Sequence, residues 1–94
     1  MPVVYMLECV DGSLYTGWTT DMNKRLQAHQ QGTGARYTRS RLPVKLVYME
    51  EVPDRKTALK REYALRKLKR SEKEMCVKEW KTKPPVFRRG VREE

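Results

Sequence analysis

Three side chains of this sequence have the types and spacing to do polar chemistry together. Arg25 and His29 are four residues apart in a segment with a helical pattern, so one helix face carries a guanidinium and an imidazole. A guanidinium binds anionic oxygens in bidentate fashion, and a histidine side chain ordinarily titrates near neutrality. Glu62 falls between Ala58 and Leu65 on the apolar face of a second predicted helix, where a carboxylate is rarely buried unless it is paired or holds a metal ion. The pattern indicates anion binding, proton transfer and cation binding.

Each of these residues also has an ordinary structural explanation. Arg25 and His29 could be a partly buried helical pair, and a salt bridge to Arg25 would satisfy Glu62. Tyr5 and Tyr15, ten residues apart in two apolar runs, are more often core aromatic residues with a solvated hydroxyl. The residue types alone therefore leave a structural and a catalytic interpretation open.

Four of these residues, Tyr5, Tyr15, Arg25 and His29, must be positioned by a hairpin and a helix. Residues 3–7 and 14–18 are short apolar runs separated by Asp11-Gly12, which predicts two antiparallel strands joined by a tight turn. Thr20 or Asp21 can cap a helix that ends near Gln31, with Gly32 as its left-handed terminator. The residues on the inward side of that helix are Met22, Arg25, Leu26 and His29.

The rest of the chain predicts a loop, a third strand and further helix. Residues 32–43 contain glycine and basic residues and indicate a loop, and residues 44–51 indicate a strand. Asp54 can start a long helix through about Arg70, with a wide apolar face made of Ala58, Leu59, Tyr63, Leu65 and Leu68. Ser71 and Glu74 have the capping-box spacing for a short last helix, whose possible apolar contacts are Met75, Val77 and Trp80.

These elements predict an α+β fold in which helices flank a small three-stranded antiparallel sheet, in the order β-β-α-β-α. We expect one domain over residues 1–80 and a flexible basic tail over residues 81–94, because the tail sequence is too polar to build a core. A chain of 94 residues can bury a modest core without disulfides or a metal ion.

Positive charge is concentrated in two zones. The chain has 21 Lys and Arg against 12 Asp and Glu, a formal net charge of +9, and residues 22–49 contain six basic residues and no acidic one. Such clustering is typical of proteins that bind a phosphate backbone, although a solvated charge run or affinity for anionic lipid would have the same composition. The basic residues that we expect to contact DNA are Lys24, Arg36, Arg39, Arg41 and Lys45.

The cysteines and the N-terminus favour a cytoplasmic protein. Cys9 and Cys76 are the only cysteines, and they form neither a CxxC motif nor a disulfide framework. The first apolar run has no basic region before it and ends at Glu8, too early for a signal peptide or a membrane span. We expect no association with a membrane.

The order of the motifs resembles that of the GIY-YIG nuclease superfamily. The motifs are Val3-Val4-Tyr5 and Tyr15-Thr16-Gly17, followed by Arg25, His29 and Glu62. Two further segments, Gly34-Ala35-Arg36-Tyr37-Thr38 and Pro43-Val44-Lys45-Leu46-Val47, are similar to the small stand-alone bacterial members. The resemblance implies hydrolysis of DNA phosphodiester bonds with Mg²⁺ or Mn²⁺, in repair or in processing of branched DNA.

The resemblance also implies a role for each residue. Tyr5 and Tyr15 match the tyrosines that position and activate the attacking water, which requires a lowered tyrosine pKa with Arg25 and the metal ion as causes. Arg25 matches the arginine that steadies the phosphate, and Glu62 matches the carboxylate that holds the divalent ion. His29 stands where relatives have His or Tyr. Gly17, at the end of the second strand, would let the substrate approach the backbone closely.

Three functions stay open at this level. The first is a metal-dependent DNA endonuclease, with RNA as an open alternative substrate. The second is a nucleic-acid-binding module that keeps the fold without cutting, since several cutting relatives have an asparagine beyond the carboxylate helix and this chain has only Asn23. The third is an adaptor that docks acidic proteins. We expect a monomer or weak dimer, with a possible protein partner that targets it.

Overall fold

The computed structural model describes residues 1–82, which form three strands and four helices. The elements are β1 (Val3–Glu8), β2 (Leu14–Thr19), α1 (Met22–Gln30), α2 (Arg36–Arg39), β3 (Lys45–Glu51), α3 (Arg55–Arg66) and α4 (Arg70–Thr82). Residues 81 and 82 complete α4, and the rest of the predicted tail, residues 83–94, lies outside the described residues. The division into a domain and a tail therefore stays a prediction. None of the helices within residues 1–82 has the length and apolar character to span a membrane.

The sheet has the order β2-β1-β3, with β1 antiparallel to both neighbours. Tyr5 is opposite Gly17 and Leu7 is opposite Tyr15, so the two motif tyrosines belong to the same face of the hairpin. β1 is buried along Val3–Leu7 because it is the central strand and has helices against both faces. The predicted α+β fold with a three-stranded antiparallel sheet is confirmed.

A separate hydrophobic core covers each face of the sheet. On one face α3 packs on the sheet, with Ala58 and Leu65 against Val4 and Val52. On the other face Tyr5 and Leu7 form the core with residues of α1 and of the segment before β3. The alternation of side chains along β1 thus sends Val4 towards α3 and Tyr5 towards α1. The protein is a three-layer sandwich with the sheet in the middle.

The predicted N-terminal caps of α1 and α3 and the predicted end of α1 are confirmed, whereas the hairpin connection is longer than predicted. Asp21 caps α1 by accepting a hydrogen bond from the Lys24 amide at 3.1 Å, and Asp54 caps α3 by accepting one from the Thr57 amide at 2.8 Å. Gly32 follows α1 with φ +84°, the conformation of a helix terminator. The hairpin connection is a five-residue loop, residues 9–13, rather than a two-residue turn.

Three predictions about the helical segments are wrong. Residues 32–43 are not all loop, because α2 forms there with the Ala35 carbonyl accepting from the Arg39 amide at 3.1 Å. The long helix ends at Arg66, four residues before the predicted end, and α4 starts at Arg70. Leu59 and Tyr63 are 54% and 62% exposed, because only the side of α3 that carries Ala58 and Leu65 meets the sheet.

The start of α4 also differs from the prediction. Ser71 lies inside the helix, and it is the Glu72 carboxylate that reaches back to the Lys69 amide at 2.9 Å. The predicted partner Glu74 instead forms an ion pair with Arg70 at 2.7 Å. Met75 is 58% exposed and does not join the core. The residue of α4 that packs against the core is Cys76.

Candidate active site

Tyr5 and His29 form a buried hydrogen-bonded pair across the layer between β1 and α1. The Tyr5 hydroxyl lies 2.8 Å from His29 Nε2, and both side chains are buried. His29 Nδ1 lies 2.8 Å from the Thr38 hydroxyl, which donates to the Ala35 carbonyl at 3.2 Å. Both ring nitrogens of His29 are therefore hydrogen-bonded without solvent.

Burial sets the proton affinities of this pair. It raises the pKa of Tyr5, with Tyr15 and Glu62 adding to the rise and Arg25 opposing it. It also lowers the pKa of His29, an effect that the nearby positive charge of Arg25 reinforces. Arg25 lowers the pKa of Tyr5 as expected, but the cost of burying a phenolate outweighs this attraction, so the net shift of the Tyr5 pKa is upward. The pair is a neutral imidazole and a protonated phenol.

Tyr15 completes an aromatic cluster around His29. The Tyr15 ring centroid lies 5.3 Å from that of His29 and 6.4 Å from that of Tyr5. On its outer side Tyr15 stacks on Tyr37 of α2, with centroids 6.0 Å apart and planes inclined by 23°. Arg41 covers Tyr37, with its guanidinium carbon 3.9 Å from the ring centroid. Tyr15 is half-buried, so it is the motif tyrosine that faces solvent.

Two glycines fit against these rings. A Cβ at Gly17 would lie 2.7 Å from the Tyr5 hydroxyl oxygen, and a Cβ at Gly34 would lie 2.6 Å from His29 Nδ1. The space beside Gly17 is therefore filled by Tyr5, and the expectation that this space admits substrate is wrong. Both positions require glycine because the rings pack directly on the backbone.

Arg25 is exposed on α1, not buried against the sheet. It is close enough to Tyr5 and His29 to lower the pKa of each. Its side chain makes no ion pair and no hydrogen bond within residues 1–82, and the suggested salt bridge to Glu62 does not form there. The guanidinium is thus available to a ligand at the edge of the aromatic cluster.

Glu62 approaches the site from the opposite layer. Its side chain is 17% exposed on α3, and Oε2 lies 3.4 Å from Nη2 of Arg66. Arg66 in turn reaches the Thr16 carbonyl of β2, with 3.5 Å between Nη2 and the oxygen. Because Glu62 contributes to the raised pKa of Tyr5, its carboxylate lies within electrostatic range of the phenol.

Glu62 has the properties of a one-carboxylate cation site. The part of the chain that is described contains no group of three or more His, Cys, Asp and Glu side chains that could hold a metal ion. Magnesium is commonly held by one or two carboxylates together with several waters. Glu62 fits that arrangement, because it is partly exposed and its one ion-pair or side-chain hydrogen-bond partner in residues 1–82 is Arg66.

The structure separates the basic residues that we expected to contact DNA. Lys24, Arg36 and Arg39 are exposed and make no side-chain hydrogen bond or ion pair within residues 1–82. Arg41 is engaged internally, because it pairs with Asp11 at 3.1 Å and donates to the Tyr37 carbonyl at 2.9 Å. Lys45 is on β3, the edge strand on the side of the sheet away from β2, and its Nζ lies 3.9 Å from a carboxylate oxygen of Glu8 on β1. Lys24, Arg36 and Arg39 thus remain available to a ligand.

Sequence reasoning missed the residues that surround the predicted ones. A cleft of about 300 Å³ opens beside Tyr15, and its other lining residues are Leu14, Thr16, Tyr37, Arg66 and Lys73. Thr38 and Gly34 also belong to the site through their contacts with His29. The signal for Arg66 was its i,i+4 spacing from Glu62. Gly34 and Thr38 belong to the family-like segment Gly34-Ala35-Arg36-Tyr37-Thr38, but that segment did not indicate their contacts with His29.

The comparisons with known proteins identify the family of the chain. The family model described as the GIY-YIG catalytic domain matches residues 1–75. The chain is 53% identical over 73 residues to a UPF0213 protein of Clostridium perfringens, covering 78% of each chain. It is also 53% identical over 76 residues to a UPF0213 protein of Streptococcus sanguinis, covering 81% of this chain and 87% of the relative.

Two solution NMR structures have the same fold. One is of a UPF0213 protein of Bacillus halodurans, with 46% identity, coverage of 83% of this chain and 84% of that chain, and a TM-score of 0.54. The other is of a protein of E. faecalis, with 40% identity, coverage of 87% and 88%, and a TM-score of 0.57. The match of the family model over most of the chain, together with these relatives, shows that the chain belongs to the GIY-YIG nuclease family.

Proposed function

We propose that this protein is an endonuclease that hydrolyses DNA phosphodiester bonds with Mg²⁺ or Mn²⁺. The observation that carries the proposal is the buried Tyr5–His29 hydrogen bond of 2.8 Å beside Tyr15, within electrostatic range of Arg25 and Glu62. Proton acceptor, anion-binding group and carboxylate are the parts that phosphodiester hydrolysis needs.

In this proposal Tyr15 and the Tyr5–His29 pair activate the attacking water. Tyr15 orients the water, because it is the tyrosine that faces the cleft. The Tyr5 hydroxyl is buried in this structure, so in this proposal bound substrate opens the aromatic cluster and admits the water to it. The water then loses a proton to the Tyr5 oxygen as the Tyr5 hydroxyl proton passes to His29 Nε2 along their hydrogen bond. The resulting hydroxide attacks phosphorus, and the bond from phosphorus to the leaving oxygen breaks. His29 is well suited to accept the proton because burial keeps it neutral.

Arg25 and Glu62 stabilise the charge that develops on the phosphate. The exposed guanidinium of Arg25 binds nonbridging oxygens, whose negative charge increases in the transition state. Glu62 would hold the divalent ion, which supplies Lewis acidity and stabilises the leaving oxygen when bound. Arg66 must release Glu62 for this, which the geometry permits because the two are joined by one long contact of 3.4 Å and the Arg66 side chain is 56% exposed.

The basic surface supplies the affinity for the substrate. Lys24, Arg36 and Arg39 are exposed and unpaired within residues 1–82, and a net charge of +9 attracts a polyanion. Phosphate contacts carry no sequence information, so we propose cleavage without base specificity. DNA in the cytoplasm is the proposed substrate, RNA is the alternative, and a protein partner could select the site of action.

A cleavage assay with two site variants tests the proposal. Purified protein is incubated with labelled single-stranded, duplex and branched DNA in the presence of Mg²⁺, Mn²⁺ or EDTA. We expect metal-dependent cutting that Glu62→Gln and Arg25→Gln reduce at least about 100-fold, because each removes a charge that acts in the transition state. The matched controls are Glu79→Gln and Lys78→Gln, which neutralise exposed side chains of α4.

The same variants distinguish the second candidate, a nucleic-acid-binding module that does not cut. This candidate is favoured by the available cations, which bind phosphate whether or not Glu62 holds a metal ion. It predicts salt-sensitive DNA binding by every variant and no cleavage of any substrate by the unmodified protein. Cutting that survives in Glu62→Gln would contradict the proposed mechanism.

A further inference from the structure

Thr38 has a fully buried hydroxyl, and the family resemblance assigned it no role. It lies on α2 between two partners, the Ala35 carbonyl at 3.2 Å and His29 Nδ1 at 2.8 Å. A threonine that donates to the carbonyl three residues before it is common in short helices and turns. What distinguishes Thr38 is that the same oxygen also contacts the imidazole of the candidate active site.

The donors in the row of hydrogen bonds from Tyr5 through His29 and Thr38 to Ala35 can be assigned by counting the hydrogens that each group carries. The Ala35 carbonyl already accepts from the Arg39 amide, so it does not by itself fix the direction of the single Thr38 hydrogen. The buried Tyr5 hydroxyl fixes it, because His29 Nε2 is its one hydrogen-bond partner within residues 1–82 and is needed to accept its hydrogen. The imidazole hydrogen then lies on Nδ1, the Thr38 oxygen accepts it, and Thr38 donates to the Ala35 carbonyl. A neutral imidazole has only one N–H, so Nε2 has a free lone pair and accepts the hydrogen of the Tyr5 hydroxyl. With this assignment the Tyr5 hydroxyl, the His29 imidazole, the Thr38 hydroxyl and the Ala35 carbonyl each have a hydrogen-bond partner, and every hydrogen bond in the row from Tyr5 to Ala35 is donated in the same sense.

We propose that Thr38 is a positioning residue that holds the proton of His29 on Nδ1, so that Nε2 remains the acceptor for the Tyr5 proton. The other tautomer would place a hydrogen on Nε2, facing Tyr5, and the ring could not accept the Tyr5 proton. The catalytic consequence of the assignment rests on the proposed function, but the tautomer itself does not. The lowered pKa of His29 supports the assignment, since it keeps the ring neutral near neutral pH.

The position of Thr38 in the fold gives the contact a second consequence. Thr38 is on the buried side of α2, whereas Arg36 and Arg39 are exposed on the same four-residue helix. Gly34, just before α2, packs on the imidazole of His29. The segment that offers unpaired cations to a phosphate backbone is thus the segment that orients the imidazole.

NMR spectroscopy tests the tautomer directly, because His29 is the only histidine of the chain. Long-range ¹⁵N–¹H correlation spectra of the unmodified, uniformly ¹⁵N-labelled protein near pH 7.5 report which ring nitrogen carries the hydrogen. We expect a protonated Nδ1 and an unprotonated Nε2. A hydrogen on Nε2 in the unmodified protein would overturn the proposal, and this result requires no variant to fold.

Two variants then test whether Thr38 is the cause. Thr38→Ser keeps the hydroxyl and should keep the Nδ1–H form, whereas Thr38→Val removes the acceptor and should shift the ring towards the Nε2–H form. In the cleavage assay we expect Thr38→Val to be about 100-fold slower and Thr38→Ser to remain within a few fold of the unmodified protein.

The outcomes separate this proposal from the proposed function. If no substrate is cut but the tautomer shifts in Thr38→Val, the nuclease proposal fails and the role of Thr38 in positioning the proton stands. If the protein cuts and a folded Thr38→Val retains the Nδ1–H form or the full rate, the role of Thr38 is wrong and the nuclease proposal stands. If Thr38→Val does not fold, loss of the Nδ1–H form in a folded Thr38→Ser would also contradict the proposal.

Discussion

His29 is fully buried, yet both of its ring nitrogens have a partner within 2.8 Å. A structural role would explain the burial, but Tyr15 and the exposed Arg25 beside the pair place it next to solvent and to an available cation. At this scale the proposed chemistry depends on contacts with residues to which the motifs assigned no role, chiefly Thr38 and Gly34.

Burial of a neutral His29 should make stability depend on pH. The folded pKa of His29 lies below its ordinary value of 6.5, so below pH 6.5 the unfolded chain binds a proton that the folded chain does not. The stabilisation is therefore complete above pH 6.5 and is lost as pH falls towards the folded pKa. We expect urea denaturation to show a falling free energy of unfolding from pH 7 to pH 5.

The control for this dependence is His29→Gln, which should have a flatter profile over the same range. The carboxyl group of Glu50 does not interfere, because its hydrogen bond with Arg61 holds the pKa below the ordinary 4.5. An equal slope in both proteins would contradict the assignment to His29.

Gly17 should tolerate no larger side chain. The Cβ of Gly17→Ala would lie 2.7 Å from the Tyr5 oxygen and 2.9 Å from Cζ, so we expect a loss of about 1–3 kcal/mol in the free energy of unfolding. In a Tyr5→Phe background the loss should be smaller by about 0.5 kcal/mol or more, because the closest atom is gone. Urea denaturation of the four proteins measures both values, and additive losses would show that the Tyr5 oxygen is not the cause.

At the scale of elements, each of the four residues of the short helix α2 either contacts the candidate site or is exposed as a cation. Its Tyr37 stacks on Tyr15, its Thr38 contacts His29, and its Arg36 and Arg39 are exposed. By comparison, α3 is held to β3 by a purely structural tie, in which Arg61 donates to both oxygens of Glu50 at 2.7 and 2.9 Å. In the proposed function, the short helix α2 thus contributes both to DNA binding and to the position of His29, while the longer helix α3 carries Glu62.

Removal of the two exposed arginines of α2 should weaken DNA binding without affecting the fold. Each phosphate contact contributes about 0.9 to the slope of log K against log salt for duplex DNA, so Arg36→Ala/Arg39→Ala should lower that slope by nearly 2. Fluorescence anisotropy at several salt concentrations measures it. The control is Lys78→Ala/Lys81→Ala on α4, which packs on β3, and an equal change of slope there would contradict a specific role for α2.

At the scale of the whole molecule, the sheet separates the parts of the candidate site. Tyr5 and His29 lie in the α1 layer, whereas Glu62 lies on α3 in the other layer, where its partner Arg66 reaches the Thr16 carbonyl of β2. No layer contains the site alone. Residues 1–82 contain one such set, so under the proposed function one chain would act on one strand at a time.

A single site should nick DNA before it breaks both strands. If the proposed function is correct and the protein is a monomer, supercoiled plasmid should convert to open circles first and to linear DNA later. A gel time course, with sedimentation to measure the mass in solution, checks this. Linear DNA as the first product, together with a sedimenting dimer, would contradict the monomeric arrangement.

The sequence by itself determined the elements whose signals are local. Two short apolar runs on either side of Asp11-Gly12 predicted the hairpin, and Asp21, Gly32 and Asp54 predicted the ends of helices, because capping and turn formation involve only a few neighbouring residues. The order of the motif residues was likewise sufficient to predict the family and the fold.

Only the tertiary structure decided the state of the side chains. Burial on β1 raised the pKa of Tyr5, Arg66 rather than Arg25 paired with Glu62, and the side of α3 that carries Tyr63 was left exposed. Thr38 became a partner of His29 through folding of the segment after α1. These features depend on what packs against each residue from elsewhere in the chain, and periodicity along one element contains no information about the element opposite it.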